Sequence, residues 1–468
     1  MTRDVVSILN VINVFFLIYL LVYATYLFFS VVVGAWQLYF REKMRQVKNE
    51  IRHEYYFPVS IIVPAHNEEV TILESVESLL QLDYKLYEVI IVDDGSADDT
   101  VAKLIAHFDM EETKRPIRMS IPCKKVRTIY ETNKEKVKIT LICKENGGKG
   151  DALNMGINVA TYPYFVCIDA DSMLQQDSLE RIVQPVMEDD RTVAVGGLIR
   201  VAQCILLDRG RVVGYRLPWN LLMSMQVMEY DRSFLASRIL LDQFNGNLII
   251  SGAFGLFKKD IVIGAGGYDN HTIGEDMELV VRLHKYCRNN KIPYTIRYEP
   301  NAICWSQAPG TLRDLYRQRR RWHLGLFQSL FSHKDICMKS RFGLAGSLSY
   351  LYYLFYELLS PFIELFGWLS MVASAIFGVL NIPFMVSFYL LYAIYGAVLS
   401  ITAFFQRIYT QNLKISRLDV CKAMILCVIE NVFFRIVLDV IRATAFIGYR
   451  RRKGEWGTIK RVKSDIVK

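Results

Sequence analysis

The stretch Val89-Ile90-Ile91-Val92-Asp93-Asp94-Gly95-Ser96 decides the fold. An unbroken run of β-branched apolar residues reads as a strand buried on both faces, the kind found inside parallel sheets. Two carboxylates and a glycine then end it abruptly. The run Tyr164-Phe165-Val166-Cys167-Ile168 leads in the same way into Asp169-Ala170-Asp171. Open α/β sheets bind ligands outside the carboxyl ends of their strands, so both acidic groups fall on the binding edge.

Outward from these two units the alternation of strand and helix continues. Residues 59–63 read as a buried strand, followed by Pro64-Ala65-His66-Asn67-Glu68-Glu69 and an amphipathic helix through Leu80. Residues 139–143 and 193–199 add further strands. The pattern predicts an α/β fold, a mostly parallel sheet with helices on both faces. No internal repeat or low-complexity tract interrupts it.

At 468 residues and 52% hydrophobic, the chain is too long and too apolar for one ordinary soluble domain, and the apolar excess sits at its two ends. Four regions are expected: a transmembrane helix in 1–40, a cytoplasmic α/β domain in 41–340, a membrane region in 341–448 and a basic cytoplasmic tail in 449–468. The net charge of +9 does not argue for nucleic acid. Two of the three basic clusters, 41–52 and 450–463, adjoin apolar segments, where Lys and Arg mark the cytoplasmic face of a bilayer. The third, 114–138, is interleaved with glutamates and reads as a solvated hairpin or loop. Nine cysteines occur singly, with no metal-site spacing to the seven histidines, and read as buried thiols in a reducing compartment.

Residues 9–36 are long and apolar enough to span, with Arg41, Lys43, Arg45, Lys48 and Arg52 just beyond. Residues 361–380 and 383–405 read as a helical hairpin, and 347–359 as an interfacial segment. In 420–448, Asn431, Arg435, Asp439 and Arg442 fall on one helical face. An interfacial amphipathic helix is the preferred reading, because a span there would carry the basic tail outside.

The candidate chemistry lies in short motifs. Asp93 and Asp94 at a strand end suit hydrogen bonds to a nucleoside, although either alone could simply cap a helix. Asn146-Gly147-Gly148-Lys149-Gly150 offers flexible backbone, a cation and a helix start to a phosphate. Asp169 and Asp171, two apart at a strand end, can direct two oxygens at one Mg²⁺ or Mn²⁺. Asp276, in Gly274-Glu275-Asp276, stands apart from that pair and suits a general base, with Glu275 orienting or capping. In the basic helix 313–323, Gln318, Arg321 and Trp322 combine a guanidinium for a diphosphate with a flat indole for a sugar ring.

In this order the motifs resemble those of the processive, membrane-bound family-2 glycosyltransferases, the group of cellulose, hyaluronan, chitin and poly-N-acetylglucosamine synthases. The resemblance spans most of the chain. It implies a GT-A-like domain flanked by transmembrane and interfacial helices, and inverting, metal-dependent polymerisation of a β-linked glycan from UDP-glucose or UDP-N-acetylglucosamine. It implies uridine contacts at Asp94 beside Asp93, and phosphate contacts near Lys149. Asp169 and Asp171 would hold metal and diphosphate, with Gln318 and Arg321 in the donor pocket. Asp276 would be the base, with Trp322, Ser251, Gly252 and Glu275 on the acceptor side. Trp456-Gly457-Thr458, with Lys460, is similar to a segment that closes over the nucleotide in hyaluronan and chitin synthases, or is simply a basic tail.

The Phe-x-Val-Thr-x-Lys gate of cellulose synthases and a cyclic-dinucleotide-binding domain are not found. With three expected spans rather than six or eight, export of the glycan is expected to need a homo-oligomer or a partner. The implied setting is the plasma membrane, multi-pass, with the growing glycan, the UDP-sugar and the bilayer as partners. The alternatives are a single addition onto a lipid acceptor, or a catalytically silent component that binds nucleotide-sugar.

Overall fold

The computed structural model describes residues 2–48, 56–132, 136–208, 211–378, 382–410 and 415–448. Twelve strands run in chain order: β1 Val59–Ala65, β2 Tyr87–Asp93, β3 Glu111–Glu112, β4 Val126–Thr132, β5 Ile139–Lys144, β6 Tyr164–Ile168, β7 Met173–Leu174, β8 Thr192–Val201, β9 Ile205–Asp208, β10 Arg211–Tyr215, β11 Phe254–Lys258 and β12 Thr295–Ser306. Ten form one sheet in the order β3-β4-β5-β2-β1-β6-β11-β8-β12-β7, and β9 and β10 form a separate hairpin.

The expected parallel strands occupy the middle. β5, β2, β1 and β6 are mutually parallel, and β8 is parallel to β12. The flanking pairs β3–β4, β4–β5, β6–β11, β11–β8 and β12–β7 are antiparallel, so the sheet as a whole is mixed. Period-two alternation sorts its side chains into two layers: Ile61 and Val63 enter one core, and Ile62 enters another with Phe165 and Cys167. Burying each such side chain contributes roughly 1.5–3 kcal/mol. Segment 114–138, expected as a solvated hairpin or loop, supplies β4. Six of the nine cysteines are buried, whereas Cys421 is exposed.

This topology makes the binding edge. Parallel pairing brings the ends of β1, β2, β5 and β6 to one side. β11 runs the other way, with Phe254 opposite Ile168, so Ser251, Gly252 and Ala253 enter the sheet beside the exit of β6 toward Asp169.

The N-terminal helix, Thr2–Lys48, is roughly 70 Å long at 1.5 Å per residue. Its stretch Val6–Met44 is long and apolar enough to cross a membrane, as is Met385–Gln406. Arg41 meets the α/β domain itself, with ion pairs of 3.1 Å to both Asp242 and Glu299. The segment expected as a span over 361–380 forms a helix, Ser360–Ile376, bent by 50° against Ala345–Leu358, and only the pair together is long enough to cross. Helix Arg417–Ile429 continues through a π turn into Arg435–Ala443. Its polar stripe turns inward: Asn431 donates to Ser400 at 3.1 Å, and Arg435 pairs with Glu364 at 2.5 Å. Ile425, Phe433 and Val440 face outward. A helix lying on a membrane surface would put its polar side toward water, the opposite arrangement.

Candidate active site

The acids at the end of β2 are engaged by their own chain. Asp93 accepts from the Ser96 backbone N–H at 3.2 Å, and burial, opposed by the Ser96 hydroxyl and N–H, raises its pKa. Asp94 accepts from the Gly147 and Gly148 backbone N–H groups at 3.0 and 2.7 Å and pairs with the Lys144 ammonium. Lys144 is fully buried and also pairs with Asp151 at 2.7 Å. Asp94 therefore shapes the glycine loop. Gly148 sits at φ +89°, which an L side chain rarely adopts.

Lys144 was not singled out by the sequence reading. A lysine closing the apolar run 139–143 is itself the missed signal, since lysine is almost never fully buried without a partner.

The glycine loop delivers Lys149 as the first residue of helix Lys149–Val159. Its ammonium lies 2.5 Å from Asp169 and 3.7 Å from Glu275. Burial alone would depress the Lys149 pKa, but these two carboxylates outweigh it and raise it, so the cation persists at neutral pH. Glu275 is pushed up by burial, with Lys149 pulling against that rise.

Gly252 lies between Lys149 and Asp276. Its N–H donates to Asp276 Oδ2 at 3.2 Å, and a β-carbon there would stand 3.2 Å from Lys149 Nζ and 3.5 Å from Asp276 Cβ. Asp276 Oδ1 accepts from the Met277 N–H at 2.8 Å, which fixes the carboxylate at the start of helix Glu275–Asn289. Ser251 turns its hydroxyl back to the Ala253 N–H at 3.4 Å. Thus Lys149, Asp169, Gly252, Glu275 and Asp276 form one cluster.

Asp171 is half-buried, with the Ser172 hydroxyl at 3.5 Å. Among the described residues no group of three or more His, Cys, Asp or Glu could hold a metal ion. Asp169 and Asp171 still fit Mg²⁺ or Mn²⁺ bound with substrate, because such ions commonly take one or two carboxylates and complete their shell with phosphate and water.

Helix Leu312–Ser332 starts at Thr311, whose hydroxyl accepts from the Asp314 N–H at 3.2 Å. Gln318 is buried on it. The charge of Arg321 is felt at both Lys149 and Glu275. Trp322, 43% exposed, is held from the side: the Arg319 guanidinium lies 4.5 Å from its ring centroid, and Tyr230 is tilted against it at 6.3 Å. Arg319 is anchored by Glu229 at 2.7 Å, a clamp the sequence reading did not identify. Trp456, Thr458 and Lys460 lie outside the described residues.

The profile of Glycosyl transferase family 2 matches residues 60–262, and that of Glycosyl transferase family group 2 matches residues 164–407. The poly-beta-1,6-N-acetyl-D-glucosamine synthase of Staphylococcus aureus (strain COL) is 29% identical over 328 residues, 69% of this chain and 68% of its own length. That of Staphylococcus epidermidis is 29% identical over 315 residues, 66% and 64% of the two chains. Among solved structures, a mannosyltransferase from Pyrobaculum calidifontis aligns over 89% of this chain and 99% of its own with a TM-score of 0.50 at 18% identity, a likeness of fold. The second profile covers more than half of the chain and takes in Asp276, the helix of Arg321 and Trp322 and an apolar span, so this chain belongs to the family-2 glycosyltransferases.

Proposed function

We propose that the chain extends a β-linked polysaccharide by inverting transfer of N-acetylglucosamine from UDP-N-acetylglucosamine, with Mg²⁺ or Mn²⁺ at the donor phosphates. The observation that carries this reading is Gly252 set between the Lys149 ammonium and the Asp276 carboxylate. A base for an incoming hydroxyl and a cation for a departing diphosphate stand on either side of a residue with no side chain. The choice of sugar rests on the relatives, which are poly-β-1,6-N-acetyl-D-glucosamine synthases; UDP-glucose is the other donor that suits the same motifs.

In this reading Asp276 accepts the proton of the acceptor hydroxyl as that oxygen bonds to the anomeric carbon. The bond to the diphosphate breaks on the opposite face, and its electron pair leaves with UDP. Lys149 and Arg321 meet the charge that develops there. Asp169 and Asp171 would hold the cation, which would neutralise the diphosphate. Asp93 and Asp94, with the loop they organise, bound the nucleoside side, and Gln318 lines the donor pocket. Trp322 stacks on the acceptor sugar, with Ser251 and Glu275 completing that side.

The two long apolar helices support a membrane protein. We place it as multi-pass in the plasma membrane, catalytic domain cytoplasmic, with the glycan passed through a homo-oligomer or to an export partner.

Purified full-length protein incubated with a panel of labelled UDP-sugars, with Mg²⁺, Mn²⁺ or a chelator, tests this directly. UDP release with products of many sugars, cleaved by a linkage-specific glycosidase and lost with the chelator, is the expected result. Products of one sugar on a lipid would replace polymerisation with single addition. No UDP release from any donor would overturn the reading.

A further inference from the structure

The β9–β10 hairpin and the turn after it carry apolar side chains that the catalytic site does not use. Leu206 is 55% exposed, Val213 63% and Trp219 73%. Trp219 lies between two cations, with the Arg216 guanidinium 5.6 Å and the Lys422 ammonium 4.8 Å from its ring centroid. Lys422 also donates to the Leu217 carbonyl at 3.4 Å, which ties the turn to helix Arg417–Ile429. An indole flanked by basic groups, one end apolar and the other wet, is the composition of a membrane-interface anchor.

The patch continues into the membrane bundle. Leu418, Ile425 and Val428 extend an outward apolar stripe from the first turn of that helix, at 64%, 60% and 46% exposure. Its depth falls at the outer side of the headgroup layer. Helix Leu221–Arg232 follows Trp219 and is roughly 18 Å long at 1.5 Å per residue. Its last residue, Arg232, donates to Ser400 at 3.3 Å. Ser400 lies about 9 Å, by the same rise, before the end of the apolar span at Gln406. Trp219 therefore stands about 9 Å beyond the span if the helices are upright, and less with ordinary tilt. The headgroup layer is about 5–8 Å thick on each side.

We propose that Trp219, with Leu206 and Val213 on the preceding hairpin and Arg216 and Lys422 around it, seats in the headgroup layer of an anionic bilayer on the catalytic-domain side. The inference rests on the membrane placement proposed above. The indole and its apolar neighbours sit among the headgroups and the two cations meet lipid phosphates, so the surface is a lipid site separate from the sugar site.

The test uses the full chain in phosphatidylcholine vesicles containing phosphatidylglycerol, with either lipid brominated at shallow acyl positions to quench tryptophan. Wild type is compared with Trp219→Phe, because other tryptophans also reach lipid. The expected result is a loss of shallow quenching in Trp219→Phe. The part of the quenching that wild type gains from brominated phosphatidylglycerol over brominated phosphatidylcholine should shrink in Arg216→Gln. Equal quenching of wild type and Trp219→Phe would overturn the proposal and leave the hairpin to a protein partner or a second copy. Equal quenching of wild type by the two brominated lipids would remove the anionic specificity. Neither readout needs sugar transfer, so an inactive preparation that passes both would sink the enzymatic reading and not this one.

Discussion

Gly274 and Gly325 meet backbone to backbone: a β-carbon on either would stand 2.7 Å from the Cα of the other. Gly274 is the last residue before the helix that carries Asp276, and Gly325 lies on the helix of Gln318, Arg321 and Trp322. The contact sets the separation of Asp276 from the helix of Gln318, Arg321 and Trp322. Neighbouring residues of the second helix reinforce it. Gln328 accepts from the Ile273 N–H at 2.8 Å, and the Ser329 hydroxyl donates to the Gly274 carbonyl at 3.4 Å.

Gly325→Ala should therefore be harmful although alanine favours a helix. Propensity would gain roughly 1 kcal/mol, whereas forcing a methyl group into packed backbone costs roughly 1–3 kcal/mol. With no flexible side chain able to yield, the second effect wins. A lower melting temperature and a fall in kcat larger than any change in donor KM are expected. Unchanged kcat would mean that the helix separation does not govern transfer.

Asp276→Asn keeps the shape and removes the proposed base. Loss of general base catalysis should lower turnover by roughly 10²–10⁴. Donor affinity, measured by calorimetry with UDP, should change little, because the amide oxygen can still accept from one of the two N–H groups, Gly252 or Met277, that hold the carboxylate in place. Polymer output at the wild-type rate would exclude Asp276 from proton transfer.

Lys144→Met removes the cation shared by Asp94 and Asp151 while filling the same buried volume. Stranding buried carboxylates costs roughly 3–5 kcal/mol. Thermal denaturation should show that loss, and the double variant with Asp94→Asn should recover part of it. A melting temperature equal to wild type would show that the glycine loop does not depend on this pair.

Arg319→Ala should free the Trp322 indole, which is otherwise gripped at 4.5 Å and backed by Tyr230. Shorter glycan products at a nearly unchanged initial rate of UDP release are expected. Products of wild-type length would dissociate the indole's orientation from chain extension.

The central strands were legible because their apolar runs are continuous and end in acids, a pattern that burial on both faces imposes. The flanking strands were not. β12 contains Arg297, Glu299 and Asn301, and its register with β8 breaks between Glu299 and Ile303, so no clean period marks it. β11 is only five residues long and interrupted by Gly255. The motif residues were readable one at a time, yet their grouping was not. Asp94 and Lys144 are 50 residues apart in sequence, and only parallel pairing of β2 with β5 brings them together. The inward polar stripe of the last helix was visible as a stripe, but periodicity alone does not say whether Arg435 faces water or Glu364.

His284 gives the catalytic domain a pH dependence whose sign follows from its tautomer. It is buried on the Asp276 helix, with Nε2 placed 2.9 Å from the Asn247 carbonyl and Nδ1 2.8 Å from the Tyr294 hydroxyl. The neutral ring satisfies both contacts by donating from Nε2 and accepting at Nδ1. Burial pushes its pKa down from 6.5 to about 4; the Asn247 carbonyl opposes this and Arg288 adds to it. Below the unfolded value the denatured chain binds a proton that the folded chain refuses, so stability is complete above about pH 6.5 and is lost as pH falls toward 4. Across that window the loss amounts to roughly 3 kcal/mol. His284→Gln, whose amide can make both contacts without titrating, should flatten the decline in melting temperature between pH 7 and pH 4.5 relative to wild type. Parallel profiles for the two proteins would show that His284 is not the group whose protonation unfolds the domain.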